Sequence, residues 1–188
     1  MLGWMQTRCT SPRHALHRAC RPQHGQSLVE FALILPVLML ILMGIVQMGF
    51  VFNAYVTISN ATREAARTAT IYLYDRNQSV GTNDTARNEA ARSALDSAMG
   101  MLSAASPWFA NSSTWTITNN GDTFTTGDLV IAYTLPAGVT DADSRVGQRV
   151  SVSMTYHLDL LIPFIGAILP HDANGRLPLT AQVSMLVN

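Results

Sequence analysis

Residues 26–52 read QSLVEFALILPVLMLILMGIVQMGFVF, and this stretch determines the architecture of the chain. Residues 31–52 carry no charge, and Glu30 stands directly before them. A helix that rises 1.5 Å per residue needs about 20 apolar residues to cross a hydrocarbon core of roughly 30 Å. A cleavable secretory signal usually has a shorter apolar stretch, of about 7–15 residues. We therefore predict a membrane-spanning helix over residues 26–53 rather than a plain signal peptide.

The segment before this helix is short and basic. It contains four arginines and no acidic residue within residues 1–24, and basic flanks stay on the cytoplasmic side of a membrane. We predict a single-pass protein of the cytoplasmic (inner) membrane, with residues 54–188 periplasmic or extracellular. The formal net charge is zero, from 12 basic residues and 12 acidic ones. Because no basic patch stands out, nucleic acid is not an expected partner.

Both cysteines of the chain, Cys9 and Cys20, precede the helix, so the exported part has none for a disulfide. With His14 and His17 they allow two interpretations, a zinc site or an unstructured basic flank. The spacing lacks the C-x2-C pair that structural zinc sites usually contain, which favours the flank. We expect neither a metal nor a cofactor.

The helical pattern continues beyond the span, to about Tyr74. Its stripe comprises Tyr55, Ile58, Ala61 or Thr62, Ala65, Ala69 and Tyr72. We favour core packing for this alanine-rich stripe over a helix–helix assembly face. A loop over residues 75–84 should follow, and Asp84 is expected to cap a second helix that ends at Pro107. The apolar face of that helix comprises Ala91, Leu95, Ala98, Met99 and Leu102.

From residue 114 onward, the apolar residues recur every second position, which is typical of half-buried strands. Strands are predicted at residues 114–118, 129–135, 150–158 and 179–187, with a turn at residues 119–122. The predicted fold class is α+β: a long N-terminal helix leads into a small domain in which the second helix packs on an antiparallel sheet of three or four strands. The apolar stretch LLIPFIGAILP, residues 160–170, is too short to span a membrane. A buried cover for the sheet end is favoured over an exposed patch touching the membrane or a partner subunit.

Catalytic patterns are weak in this sequence. The chain contains no lysine, which excludes a Walker-type phosphate loop. Asp141 and Asp143 fit a turn better than a calcium site, and His157 and His171 stand alone in the sequence. We therefore expect a structural protein rather than an enzyme.

Glu30 needs compensation, because a carboxylate at the margin of an apolar helix is costly to desolvate. One interpretation is that headgroup water solvates it. In the other, the chain is cut after Gly25, and the new α-ammonium of Gln26 on a neighbouring molecule pairs with the carboxylate.

The stretch HGQSLVEFALILPV, continuing to NATREAARTA, resembles the N-terminal signature of TadE-like pseudopilins of tight-adherence (Flp-type) pili and type II-related secretion systems. The resemblance lies in Gly25, Glu30 and Phe31, in the apolar helix, and in the arginine- and alanine-rich run after it. It implies cleavage between Gly25 and Gln26 by a prepilin peptidase, with residues 1–25 as the leader. It also implies assembly beside other pilins or pseudopilins on a membrane assembly platform.

Two functions thus remain open from the sequence. The first is a processed pseudopilin that assembles through its N-terminal helix. The second is an unprocessed, single-pass anchored protein whose outer domain binds a ligand or a partner protein. The identity of the first residue of the mature chain distinguishes them.

Overall fold

The computed structural model describes residues 24–105, 114–137, 144–161 and 169–188. The helices are α1 (His24–Ile71), α2 (Val80–Met99) and α3 (Met101–Ala105). The strands are β1 (Thr116–Thr118), β2 (Thr123–Thr126), β3 (Leu129–Thr134), β4 (Arg149–Leu158) and β5 (Leu177–Leu186). The chain divides into two units, residues 1–40 and 41–188. The described part of the first unit is helical, and the second contains the rest of α1 and every other element.

Helix α1 ends at Ile71, three residues before the predicted end near Tyr74. The loop that follows is held by the side chain of Asn83, which binds its backbone groups. Its Oδ1 accepts the Asp75 backbone N–H at 2.9 Å, and its Nδ2 donates to the Asp75 carbonyl at 2.9 Å. The predicted loop is confirmed, although it is shorter than residues 75–84.

Helix α2 begins at Val80, four residues before the predicted cap. Ser79 is the N-cap, and its Oγ accepts the backbone N–H of Thr82 at 3.2 Å. The prediction that Asp84 caps this helix is therefore wrong. The helix also stops at Met99, where Gly100 adopts a φ of 55°, a conformation that glycine tolerates and other residues avoid. Pro107, the predicted end, lies outside the described residues.

Among the described residues, the sheet has five strands in the order β1-β2-β3-β4-β5, one more than the predicted maximum of four, and each neighbouring pair is antiparallel. The additional strand is β2, which pairs with β1 and β3. The turn predicted between β1 and β2 is confirmed, with Asn119, Asn120 and Gly121 all at positive φ. The longest pairing joins β4 to β5, with Val152 opposite Val183.

The helices α1 and α2 share one hydrophobic core with the sheet, and this core lies within residues 41–188. From α1 and α2 it includes Ile58, Ala61, Ala65, Ala66, Ala69, Ala91, Leu95 and Met99. From the sheet it includes Phe124, Leu129, Ile131, Tyr133, Val150, Val152, Met154, Tyr156 and Ala181. Core packing of the alanine stripe is thus confirmed. Tyr55 and Ala98 were predicted in the apolar stripes but are exposed.

Candidate functional site

The candidate site is the N-terminal part of α1, whose side chains are solvent-exposed although they are apolar. From Ser27 to Val46, no described side chain is buried. The most apolar 18-residue window of this helix has a mean hydropathy of 2.7, and none of it is buried. Exposed apolar side chains over this length are stable in lipid and unfavourable in water. The helix therefore fits a single-pass membrane anchor.

The residues predicted to matter for processing and assembly lie in the first turns of this helix. Gly25 and Gln26 follow directly after the first helical residue, His24. Glu30 is exposed, and so is Phe31 beside it. Backbone positions 26 and 30 are separated by four residues, which corresponds to about 6 Å along a helix axis. Within one chain, the predicted cleavage junction and the Glu30 carboxylate thus occupy neighbouring turns.

The environment of α1 changes at Gln47, which is only 1% exposed. Its Oε1 accepts the backbone N–H of Leu161, the residue that follows the end of β4 by three positions, at 3.1 Å. Beyond this point, the residues from Ala54 to Ala69 that face the sheet are buried in the core. The part of the chain that follows β4 therefore contacts α1 within the charge-free run, before the predicted end of the span at residue 53.

Most of helix α1 is similar to a known protein family. Residues 25–67 match the TadE-like protein family. The N-terminal segment is TadE-like. The resemblance to TadE-like proteins is confirmed over these residues, and TadE-like proteins are associated with Tad pili. No curated protein and no solved structure matches the chain.

Outside the TadE-like segment, the most buried charges form a cluster around Arg145. Its guanidinium donates to both carboxylate oxygens of Asp84, at 3.2 and 2.9 Å, and to Asp122 at 2.7 Å. It also lies 4.6 Å from the centre of the Tyr133 ring. Burial alone would lower the pKa of Arg145, but the bonds to Asp84 and Asp122 outweigh it and raise that pKa above its usual value. Arg145 thus joins α2, the β1–β2 turn and the loop before β4.

Arg87 belongs to the same cluster and is almost fully buried. Its Nη2 donates to the Ser144 carbonyl at 3.1 Å, and its Nη1 lies 3.7 Å from Asp84. The Tyr133 hydroxyl donates to Asn88 at 2.7 Å, and burial raises the pKa of this phenol above its usual value. A buried network of this kind fixes the arrangement of the elements that it connects.

A second polar group surrounds His157 near the end of β4. Its Nδ1 lies 2.8 Å from Asp172 and its Nε2 lies 3.5 Å from Asp128. Asp172 also accepts the backbone N–H groups of Asn174 and Arg176, at 2.8 and 2.9 Å. The bond from the Arg176 backbone is the main reason why the pKa of Asp172 lies below its usual value. His157, which stands alone in the sequence, therefore has two acidic neighbours in the fold.

Neither polar group has the arrangement of a metal centre. The part of the chain that the structure describes contains no group of three or more His, Cys, Asp or Glu residues placed to hold a metal ion. Cys9, His14, His17 and Cys20 lie outside the described residues, as do Asp141 and Asp143. The Arg145 cluster was missed from the sequence, although a signal was present: the stripe through Ala91 and Leu95, extended backwards in steps of three or four, passes through Asp84 and Arg87–Asn88.

Proposed function

We propose that this chain is a pseudopilin, a minor pilin-like component of a tight-adherence (Flp-type) pilus or a related secretion apparatus. One observation supports this most strongly: the TadE-like match at residues 25–67 falls on α1, the exposed apolar helix that carries Glu30 near its start. In this proposal the exported domain is the structural body and α1 is the assembly element. The protein performs no catalysis.

The first step in the proposal is processing. A prepilin peptidase removes residues 1–25 by cutting between Gly25 and Gln26, and leaves a span over residues 26–53 and an exported domain over residues 54–188. The basic leader keeps the N-terminus in the cytoplasm until it is removed. The protein then remains in the cytoplasmic membrane by its helix, with the domain on the periplasmic or extracellular side.

The second step is lateral assembly with other pilins or pseudopilins at the assembly platform. Cleavage creates an α-ammonium on Gln26. If a neighbouring helix is displaced by four residues, about 6 Å along the axis, its ammonium reaches the level of Glu30. A charge-assisted pair in this position stabilises a carboxylate at the edge of a hydrocarbon core. Glu30 therefore favours one stagger between neighbouring helices.

Substitution of Glu30 by Gln tests this mechanism, because it keeps the shape and removes the charge. We expect unchanged or slightly better membrane insertion and a roughly tenfold loss of partner crosslinking, equivalent to about 1.4 kcal/mol. The matched control is Glu64→Gln, the same change on the same helix at a half-exposed position beyond the span. It should not alter crosslinking. Undiminished crosslinking of Glu30→Gln, at equal membrane levels, would exclude the charge pair.

A second function draws on a different observation. The family match ends at residue 67, so α2 and the whole sheet lie beyond it. An unprocessed, single-pass anchored protein whose outer domain binds a ligand or partner is therefore the alternative. In that case the mature chain keeps residues 1–25, and Glu30→Gln has no effect on any assembly.

A further inference from the structure

We propose that one end of the exported domain lies inside the outer leaflet of the membrane and contacts lipid acyl chains. We call this surface the lipid-side end. It consists of Leu161, whose backbone is hydrogen-bonded to Gln47, and of an apolar cleft that begins at the next residue of α1. Met48, Val51, Phe52, Tyr55 and Leu179 line the cleft. The inference goes beyond the proposed function, since it requires a membrane span but neither cleavage nor assembly.

The length of the charge-free run carries the first part of the argument. Residues 31–46 precede Gln47, and these 16 residues extend about 24 Å as a helix. The hydrocarbon core is roughly 30 Å thick. With Glu30 at the inner boundary, the core therefore reaches to about residue 50, and Gln47 lies several ångströms below its outer edge. A tilt of about 20° shortens the reach of the helix along the membrane normal and moves Gln47 deeper.

The hydrogen bond at Gln47 places part of the exported domain at the same depth. Leu161 donates its backbone N–H to the Gln47 side chain at 3.1 Å. A polar group without a partner in hydrocarbon is costly, so a bond that satisfies both the Gln47 side-chain oxygen and the Leu161 backbone N–H is favourable there. The Gln47 Nε2 has no hydrogen-bond partner among the described residues. The Leu161 side chain is 69% exposed. It therefore presents an apolar surface at a level where the surroundings are lipid.

The cleft continues this apolar surface along α1. Four of its five lining residues belong to positions 48–55 of the helix, and the fifth, Leu179, lies in β5 next to the helix. Its volume is about 370 Å³. The inner end of the cleft, at Met48, lies within the hydrocarbon core, and Phe52 lies close to its outer boundary. Acyl chains that cover the helix therefore also reach the inner end of the cleft. Tyr55 is placed at the level where aromatic residues concentrate at membrane surfaces.

Spin-label accessibility tests this placement in the full chain, reconstituted in vesicles of phosphatidylcholine and phosphatidylglycerol. Cys9→Ser and Cys20→Ser remove the native thiols, and nitroxides are attached through Leu161→Cys or, as a second site, Phe52→Cys. The matched control is Val146→Cys, 53% exposed and separated from Leu161 by the ten residues of β4, about 33 Å. We expect the labels at 161 and 52 to collide several-fold more with oxygen than with a water-soluble nickel chelate. The label at 146 should show the opposite preference.

Leu38→Cys, in the middle of the span, supplies the reference for lipid. The proposal would be overturned if the label at residue 161 collided more with the nickel chelate than with oxygen, as expected for the label at residue 146. That result would place the lipid-side end in water. Low collision with both reagents at residues 161 and 52 would overturn it too, since a second copy or another protein would then cover the surface. If the label at residue 38 also collides more with the nickel chelate than with oxygen, the helix does not span the membrane. The inference about the lipid-side end is then wrong as well. A failure to cleave after Gly25 leaves the inference intact, so the two proposals can fail separately.

Discussion

The buried ion pair between Asp84 and Arg145 allows a quantitative prediction about the stability of the α+β domain. Both side chains are only 5% exposed, and they share two hydrogen bonds. Breaking a buried pair by removing one charge typically costs about 3–5 kcal/mol. Arg145 retains Asp122 at 2.7 Å after Asp84→Asn, which limits the loss. We therefore expect Asp84→Asn to lower the free energy of unfolding by about 3 kcal/mol, at the lower end of that range.

Two matched variants separate burial from charge in this experiment. Asp122 is half exposed although it binds the same guanidinium, so Asp122→Asn should cost about 1 kcal/mol. Glu64→Gln removes an exposed ion pair with Arg67 and should cost less than about 0.5 kcal/mol.

The assay is urea unfolding of the full chain in lipid nanodiscs, followed by near-ultraviolet circular dichroism. The three variants should shift the midpoint in the order Asp84, Asp122, Glu64 and leave the slope unchanged. Equal losses for Asp84→Asn and Glu64→Gln would refute the reasoning, because the buried pair would then contribute no more than an exposed one.

Three further predictions concern processing, acid stability and disulfides. Gly25→Trp should leave a longer species that still inserts, because the span is unchanged; immunoblotting of membranes measures this, and a normal mature size would refute cleavage at this site. The folded state holds the pKa of Asp172 below its usual value of about 3.8, so Asp172 contributes stability above that pH and the contribution is lost as the pH falls through the lowered pKa. Asp172→Asn should therefore be less stable than wild type at pH 6, and the difference should shrink below about pH 4 in urea titrations; a constant difference would contradict it. Dithiothreitol should not change the thermal midpoint of the α+β domain, since Cys9 and Cys20 both precede it; a large drop would show that a disulfide stabilises the fold.

The sequence alone predicted those parts of the fold that depend on strong periodicity. The apolar run before Asn53 is long and free of charge, so α1 followed from length alone. Strand β4 alternates Val150, Val152 and Met154 with hydroxyl side chains over ten residues, which only a half-buried strand explains. The short strand β2 was missed because its four residues, TFTT, include only one large apolar side chain, Phe124, between turn residues. Too few residues remain there for alternation to be visible.

The errors at α2 have a different origin, since they concern residues with two plausible roles. Ser79 and Asp84 can both cap a helix. The partner that decides between them, Arg145, lies 61 residues after Asp84 in sequence. Similarly, in the sequence Gln47 is a polar residue within the apolar run. Its hydrogen-bond donor, Leu161, lies 114 residues away and is identified only by the fold. The helical stripe indicates that Asp84 faces the core, but the identity of its distant partner has no local period and cannot be recognised in a single sequence.

The roles assigned to Gly25, Gln26 and Glu30 rest on the TadE-like match and on intermolecular contacts, which the fold of one chain does not display. The span, by contrast, was predicted from composition, and the exposure of residues 27–46 agrees with it. The fold of the single chain was thus largely predictable from the sequence, whereas the contact between neighbouring chains remains a prediction.

N-terminal sequencing of the native protein, purified from membranes, tests the central claim most directly. A prepilin peptidase that cuts after Gly25 creates a chain whose first residues are Gln26, Ser27 and Leu28, with the leader absent. We predict this sequence, QSLVEF, as the only N-terminus of the mature protein. A chain that begins at Met1 or Met5 would contradict processing, and it would identify the protein as a permanently anchored one.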